Sequence, residues 1–286
     1  MFEQPSARYA VAKLPTPVLN TSEFPFVFGN RDGKTLHLDA AGLIRELEFI
    51  ALPDTAFTIE KVIMRGTATI YQVTTGDYPY ASQGGYYIDS RFVQAREDHP
   101  PERVKHLPAK NDIIAHLIAS VGSPYLWGGN CREGIGQMLT FYPPRGPLSA
   151  DDRDRWMLMG VDCSGLLYQA TNGCTPRNTT SLITFGESVP AADLTAAQII
   201  QAVEPLDIMV WPGHVIIILD RERVIESRLD YNENQAGNQG GVRIRTLEEV
   251  LAEILKERIP INSYDDKGKT EQKHFVIRRW YKESTS

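Results

Sequence analysis

Residues 95–110, AREDHPPERVKHLPAK, separate two parts of the chain that have different sequence patterns. The segment is charged and proline-bearing and has little apolar periodicity, as linkers between domains do. From about Arg8 to Gln94, short β-like runs such as ATIYQV and GGYYIDSRFVQ alternate with turn sequences, which favours a small β-barrel. Beyond the linker the pattern is mixed α and β. A chain of 286 residues can bury the cores of two such domains, so we predict a domain boundary here.

Charge and hydropathy exclude several classes of partner. The net charge is −6 and no run of Lys or Arg occurs, which argues against nucleic acid and anionic membrane as partners. The longest apolar run, HVIIIL, suits a buried strand and falls well short of the roughly 20 residues that cross a bilayer. The opening MFEQPSARYAVAKLP has neither the basic nor the apolar region of a secretory signal, so we expect a cytoplasmic protein.

The three cysteines, Cys131, Cys163 and Cys174, form no CxxC pair. Their odd number and spacing fit neither a disulfide framework nor a zinc site, so we expect reduced thiols and neither metal nor cofactor. Cys131 and Cys174 are expected to be small buried side chains.

Cys163 lies where a helix is expected to begin. Asp162 is a candidate N-cap, Gly173 a candidate C-terminal stop, and the apolar stripe would be Leu166, Leu167 and Ala170. A thiol in the first turn meets unpaired N–H groups and the positive end of the helix dipole, which favour the thiolate. Cys163 is therefore a candidate nucleophile, although a buried structural cysteine is the alternative.

A nucleophilic cysteine needs a base, and His214 opens the apolar run HVIIIL. The following DRER is a turn candidate and VIES resumes as an antiparallel strand that carries Glu226. If the hairpin is centred near Asp220 or Arg221, His214 and Glu226 lie on one face, whereas a slip of one residue would separate them. Glu226 would then hold the imidazole in one tautomer, unless it is an ordinary exposed carboxylate.

Four short motifs in order, YLWGG, DCSG, PRNT and GHV, resemble the NlpC/p60 family of bacterial cell-wall cysteine peptidases across roughly residues 110–230. The resemblance implies an α+β, papain-like catalytic domain with Cys163 as nucleophile and His214 as base. The family's third polar residue falls at Glu226, where relatives often have His. The N-terminal part resembles the SH3-like domain that many of these peptidases carry.

The resemblance also implies substrate contacts. Asp162 would bind the substrate's free α-amine, Tyr125 would direct its hydroxyl at the developing oxyanion, and Trp127 would line the pocket. Thr179 replaces the serine of the usual P-R-x-S motif and keeps a hydroxyl. A cap-only role for Asp162 and structural roles for the others are the alternatives. The remaining implied substrate-binding residues are Ser164, Arg177, Glu46, Glu48, Tyr86 and Tyr87.

We therefore expect residues 1–100 to form an SH3-like β-barrel and residues 106–286 the peptidase domain, with an insertion at about 130–160. NDIIAHLIASVGS predicts a helix that starts at Asn111 or Asp112 and stops at Gly122, and the predicted last elements are a helix in TLEEVLAEILKER and a strand in KHFVIRRWY.

The expected activity is cleavage of the γ-D-Glu–diamino acid bond in peptidoglycan stem peptides with a free N-terminal L-Ala. An acyltransferase or amide hydrolase of the same fold, and a non-catalytic wall-binding module, are the alternatives. The sequence leaves the diamino acid and the oligomeric state open.

Overall fold

The computed structural model describes residues 7–230, 240–267 and 272–282 of the chain. The strands are β1 (Tyr9–Ala12), β2 (Thr16–Leu19), β3 (Leu47–Ala51), β4 (Ala56–Arg65), β5 (Ala68–Thr74), β6 (Tyr86–Asp89), β7 (Val93–Arg96), β8 (Asn130–Cys131), β9 (Gly160–Val161), β10 (Glu187–Val189), β11 (Ile208–Trp211), β12 (His214–Ile218), β13 (Arg223–Arg228), β14 (Gly241–Thr246), β15 (Arg258–Pro260) and β16 (Lys273–Arg279).

The helices are α1 (Phe24–Val27), α2 (Lys110–Ala119), α3 (Gln137–Phe141), α4 (Ala150–Trp156), α5 (Cys163–Ala170), α6 (Thr179–Leu182), α7 (Ala196–Ala202) and α8 (Leu247–Glu257). Short 3₁₀ turns cover Ser90–Phe92 and Tyr264–Lys267. Within the described ranges, no helix combines the length and the apolar character needed to span a membrane.

Contacts divide the chain into two compact units. The first comprises Met1–Lys105, Pro124–Asp162 and Leu229–Gly240, and the second comprises His106–Ser123, Cys163–Arg228 and Gly241–Ser286. Both units are discontinuous in sequence. The predicted division into residues 1–100 and 106–286 is continuous, and it stays a prediction.

The first unit is built on an antiparallel sheet with strand order β3-β2-β6-β5-β4-β1-β7. Its core is apolar and rich in aromatic residues, including Phe24, Phe49, Phe57 and Phe92, which are at most 1% exposed. The pairing fits the β-rich pattern of residues 8–94, whereas the likeness to an SH3-like domain stays a prediction. The class of the whole fold is mixed α and β.

Asn130 explains why residues 124–162 belong to the first unit. Its buried side-chain oxygen accepts from the Ile50 N–H at 3.0 Å, and its amide donates to the Ile50 carbonyl at 2.8 Å, as a neighbouring strand would. Gly128, at φ +69°, lies so near β3 that a Cβ would sit 2.3 Å from the Leu47 carbonyl oxygen. Most of the segment predicted as an insertion thus packs in the first unit, where it carries β8, α3, α4 and β9.

The second unit has the strand order β10-β16-β11-β12-β13-β14, with β15 pairing parallel to β16. Helix α5 packs against β12 and β13, and α8 packs against α7. The predicted C-terminal helix and strand are confirmed as α8 and β16. The predicted start of α2 at Asn111 or Asp112 is wrong, because the helix begins at Lys110 after an extended Ala109 that has no side-chain cap.

Candidate active site

Cys163 is the first residue of α5 in the second unit. The helix forms as the sequence predicts: its apolar positions Leu166, Leu167 and Ala170 are at most 3% exposed. The chain leaves the helix through Gly173, whose φ of +70° is in the left-handed region and whose N–H donates to the Tyr168 carbonyl at 2.8 Å. Cys163 itself is 7% exposed, so the fold holds its thiol in a fixed environment.

The other two cysteines differ from Cys163 in setting. Cys131 is buried in the first unit, and burial raises the pKa of its thiol to about 11, so it is protonated and unreactive at neutral pH. Cys174 is only partly buried, which corrects the expectation of a core side chain. In the described residues, no group of three or more His, Cys, Asp and Glu side chains is arranged to hold a metal ion.

Ser164 and Arg177 form a closed hydrogen-bonded pair beside Cys163. The Ser164 hydroxyl donates to the Arg177 carbonyl at 2.7 Å, and the Arg177 guanidinium donates to Ser164 Oγ at 2.9 Å. Both residues are at most 5% exposed. The pair joins the PRNT segment to the first turn of α5, so the geometry gives these two predicted substrate-binding residues a positioning role toward Cys163.

His214 and Glu226 lie on adjacent antiparallel strands, β12 and β13, in the predicted register. Ile217 pairs with Ile225 and Ile218 with Val224, which centres the hairpin at Arg221 and puts His214 and Glu226 diagonally on one face. His214 Nε2 is 2.8 Å from Glu226 Oε2. The same-face geometry predicted from DRER is thus present, and Glu226 is not an exposed strand carboxylate, because its side chain is 0% exposed.

Two arginines on β14 face the other oxygen of Glu226. Arg243 Nε lies 3.5 Å and Arg245 Nη1 3.6 Å from Glu226 Oε1. Burial raises the pKa of Glu226, but the hydrogen bond from His214 and the nearby positive charges, including Arg228 and Arg243, outweigh it and leave the pKa below its usual value. Glu226 is therefore a carboxylate at neutral pH.

The contact with Glu226 fixes the chemistry of the imidazole. A carboxylate is only an acceptor, so Nε2 must carry a hydrogen and, in the neutral ring, Nδ1 keeps the lone pair. Trp211, which pairs with His214 across the β11–β12 turn, has its ring centroid 5.2 Å from the imidazole. The arrangement presents one basic nitrogen and restrains the orientation of the ring.

Gly213 connects the cysteine, the histidine and Thr179. It precedes His214 at φ +94°, and its N–H donates to Thr179 Oγ1 at 3.1 Å. Its carbonyl oxygen lies 3.9 Å from Cys163 Sγ, within reach of a weak S–H donor. The geometry therefore gives Thr179 a hydrogen-bonding role in the turn that holds His214.

The first unit holds the remaining residues of the predicted site around the YLWGG segment. Asp162 is 9% exposed, and its Oδ2 accepts from the Gly128 N–H at 3.1 Å. Tyr125 forms an isolated parallel bridge to Val161. Trp127 is 39% exposed, and the Arg45 guanidinium lies 4.2 Å from its ring centroid. Asp162 and Tyr125 are thus anchored through backbone bonds within this unit, and Trp127 presents an open ring.

Glu46 and Glu48 are held by different partners. Glu46 Oε1 is 2.8 Å from His37 Nδ1. Glu48 accepts from Asn20 Nδ2 at 2.9 Å and lies 3.4 Å from the Tyr78 hydroxyl. Both carboxylates are half-buried, and either remains a candidate for the amine contact.

Tyr86 and Tyr87 both have their hydroxyls engaged. Tyr86 is 6% exposed and donates to the Tyr80 carbonyl, whereas Tyr87 donates to the Gly84 carbonyl at 2.8 Å. Burial, together with the nearby charge of Glu48, raises the pKa of Tyr86 to about 12. Tyr86 is therefore a core residue of the first unit, which agrees with the blander of the two sequence interpretations.

The sequence reasoning missed Arg243 and Arg245. The alternation in GVRIRT puts both on one face of β14, where Glu226 pairs with Arg243 across the strands. That alternation is the only signal in the sequence, and it identifies the partner only once the β13–β14 register is known.

No protein-family model and no curated protein matches the sequence. Among solved structures, the chain is similar to an NlpC/p60 family protein from Bacillus cereus, at 15% identity and a TM-score of 0.35 over 96% of this chain and 64% of that one. It is also similar to NlpC2 from Trichomonas vaginalis, at 13% identity and a TM-score of 0.31 over 96% of this chain and 73% of that one.

A third similar structure is RipD from Mycobacterium tuberculosis, described as a non-catalytic NlpC/p60 domain protein adapted to peptidoglycan binding. The identity is 17% and the TM-score 0.30, over 49% of this chain and 89% of that one. This chain spans just under two-thirds of the Bacillus protein's length. TM-scores this low do not establish a shared fold, so an assignment of function has to come from the residues themselves.

Proposed function

We propose that the protein is a cysteine endopeptidase that cleaves the γ-D-Glu–diamino acid bond of peptidoglycan stem peptides. The observation that carries the proposal is the buried contact of 2.8 Å between His214 Nε2 and Glu226, on the strand that follows the Gly213 turn against Cys163. A carboxylate that fixes a histidine beside a helix-start cysteine is the arrangement that activates a thiol nucleophile.

The reaction begins with transfer of the Cys163 thiol proton to Nδ1 of His214. The sulfur then bonds to the γ-carbonyl carbon of D-Glu, and the resulting imidazolium is stabilised by the carboxylate of Glu226. The backbone N–H of Cys163 and the hydroxyl of Tyr125 are the proposed donors to the oxyanion.

Collapse of the tetrahedral intermediate breaks the C–N bond, and His214 returns its proton to the leaving amine of the diamino acid. The product of this half-reaction is a thioester between Cys163 and the L-Ala-γ-D-Glu acyl group. Water then attacks the thioester with His214 again as base, which releases L-Ala-D-Glu and restores the thiol.

Recognition of a free α-amine is assigned to Asp162, with Glu46 or Glu48 as a second carboxylate. Carboxylates form charge-assisted hydrogen bonds with an ammonium group, and Asp162 uses one oxygen on Gly128 while the other remains to bind substrate. In uncut wall this nitrogen is an amide, so the proposed substrates are free stem peptides, as in recycling of wall fragments.

The test is incubation with L-Ala-γ-D-Glu-diaminopimelate and identification of the products by mass spectrometry. The proposal predicts L-Ala-D-Glu and free diaminopimelate in equal amounts. Cleavage at the L-Ala–D-Glu bond instead, or no cleavage, would contradict it. An apolar acyl chain transferred from a lipid donor would favour the acyltransferase alternative.

A further inference from the structure

A groove of about 610 Å³ on the first unit is lined by arginines and aromatic rings. We name it the arginine groove, and its defining side chains are Arg31, Arg65, Arg91, Arg145, Phe141 and Tyr142. The only carboxylate among the lining residues that the structure describes is Glu23. The proposed peptidase chemistry uses none of these residues.

Two of the four arginines are neutralised by carboxylates within the unit. Arg65 pairs with Glu23 at 2.5 Å and donates to Ser22 Oγ at 2.8 Å. Arg91 donates through Nε to both oxygens of Asp89, at 3.1 and 3.0 Å, and the Asp89 side chain is 0% exposed. The Tyr142 hydroxyl also donates to Asp89. Asp89 thus fixes the floor of the groove.

The other two arginines, Arg31 and Arg145, are exposed and have no ion-pair partner within the described ranges. Arg145 is held in place by its backbone, whose N–H donates to the Gly33 carbonyl at 2.7 Å. Its side chain crosses Gly33 so closely that a Cβ there would lie 2.4 Å from Arg145 Cδ. Four guanidinium groups face two carboxylates, Glu23 and Asp89, which leaves two positive charges in a chain whose net charge is −6.

Aromatic rings stand beside these charges. The Arg91 guanidinium carbon lies 4.6 Å from the Phe141 ring centroid and 4.8 Å from that of Tyr142. Phe26 and Phe141 are only partly buried, so each leaves part of its ring open to the groove. A planar guanidinium stacked on rings next to open aromatic faces suits a ligand that has both an anionic and a flat apolar part.

We propose that the arginine groove binds a small organic anion: a carboxylate or phosphate carried on an aromatic or similarly flat apolar group. Arg31 and Arg145 bind the oxyanion, because the guanidinium fork matches the oxygens of either group in bidentate geometry. The rings of Phe26 and Phe141 pack on the apolar part. The proposal is independent of the peptidase activity and does not involve Cys163.

The experiment is isothermal titration calorimetry at low salt with phenyl phosphate, benzoate and inorganic phosphate as probes. The expected result is saturable binding of phenyl phosphate or benzoate at one site per chain, and the tighter of the two identifies the natural anion as phosphate or carboxylate. Inorganic phosphate should bind at least about tenfold more weakly than phenyl phosphate, because it lacks the ring.

The test variant is R31Q/R145Q, which should weaken binding by about tenfold or more because it removes two charge-assisted contacts. The matched control is R221Q, which neutralises an exposed hairpin arginine outside the groove and should leave binding unchanged. Equal thermal unfolding midpoints for all three proteins show that folding is unaffected. Absence of saturable binding, equal binding by R31Q/R145Q, equal loss in R221Q, or equal affinity for phosphate and phenyl phosphate overturns the proposal.

Discussion

Replacing Glu226 by Gln tests the link between His214 and its buried carboxylate. Gln has nearly the same shape as Glu, and its carbonyl oxygen still accepts a hydrogen bond from His214 Nε2. The substitution therefore removes the negative charge and keeps the packing. During the reaction His214 becomes an imidazolium, so the loss falls on the charged state that precedes cleavage.

The size of the effect follows from the geometry. Opposite unit charges 2.8 Å apart, at an effective dielectric constant of about 20, attract by about 6 kcal/mol. This is an upper limit, because Arg243 and Arg245 at 3.5 and 3.6 Å already offset part of the field of Glu226. A hydrogen bond to a charged group contributes about 1.5–3 kcal/mol, so we expect kcat to fall by about 10- to 150-fold.

The assay is steady-state hydrolysis of L-Ala-γ-D-Glu-diaminopimelate by wild type, E226Q and the control E253Q. Glu253 also pairs with Arg245 but is 53% exposed and has no printed or charged contact with His214, so E253Q should stay within about twofold of wild type. The KM of E226Q should change little, since Glu226 acts through His214. A kcat for E226Q within about threefold of wild type, in a folded protein, would refute the role of Glu226.

The remaining predictions concern the turn, the pH dependence and the substrate. Thr179→Val leaves the Gly213 N–H without its acceptor and should lower stability by about 1–3 kcal/mol and also kcat, whereas Thr179→Ser should restore both, as thermal unfolding and kinetics would show. The folded pKa of Glu226 lies below its usual 4.5, so its contribution to stability is complete above about pH 4.5 and is lost as the pH falls further. The difference in unfolding free energy between wild type and E226Q should therefore narrow below pH 4.5, and a constant difference would contradict this. Acetylating the peptide's α-amine should lower kcat/KM by about a hundredfold or more, because Asp162 loses its charged partner, and rates within about threefold would refute amine recognition.

Local patterns in the sequence predicted much of the catalytic cluster. The DRER turn sets the centre of the hairpin, and the two-residue period of a strand then puts His214 and Glu226 on one face. The apolar spacing after Cys163 and the following Gly173 likewise define α5. These features depend on residues that are close in sequence.

Contacts between distant residues could not be predicted in the same way. Asn130 bonds to Ile50 across 80 positions, and nothing local in either segment indicates the pair. The start of α2 was misplaced because Asn111 and Asp112 are good caps in isolation, whereas the chain enters the helix from Ala109. Asp112 instead occupies the first turn, where its charge favours the helix dipole. Of the predicted stripe Ile113, Ile114, Leu117, Ile118 and Val121, only Ile113 and Leu117 are fully buried.

The central claim is that Cys163 carries the acyl group during cleavage. Wild type and Cys163→Ala would be mixed with L-Ala-γ-D-Glu-diaminopimelate, quenched in acid, and analysed for products and for intact protein mass. The account predicts release of diaminopimelate and a protein adduct equal in mass to the L-Ala-γ-D-Glu acyl group, mapped to Cys163 and absent from the variant, with no turnover by the variant. Hydrolysis by Cys163→Ala at the wild-type rate would contradict the account.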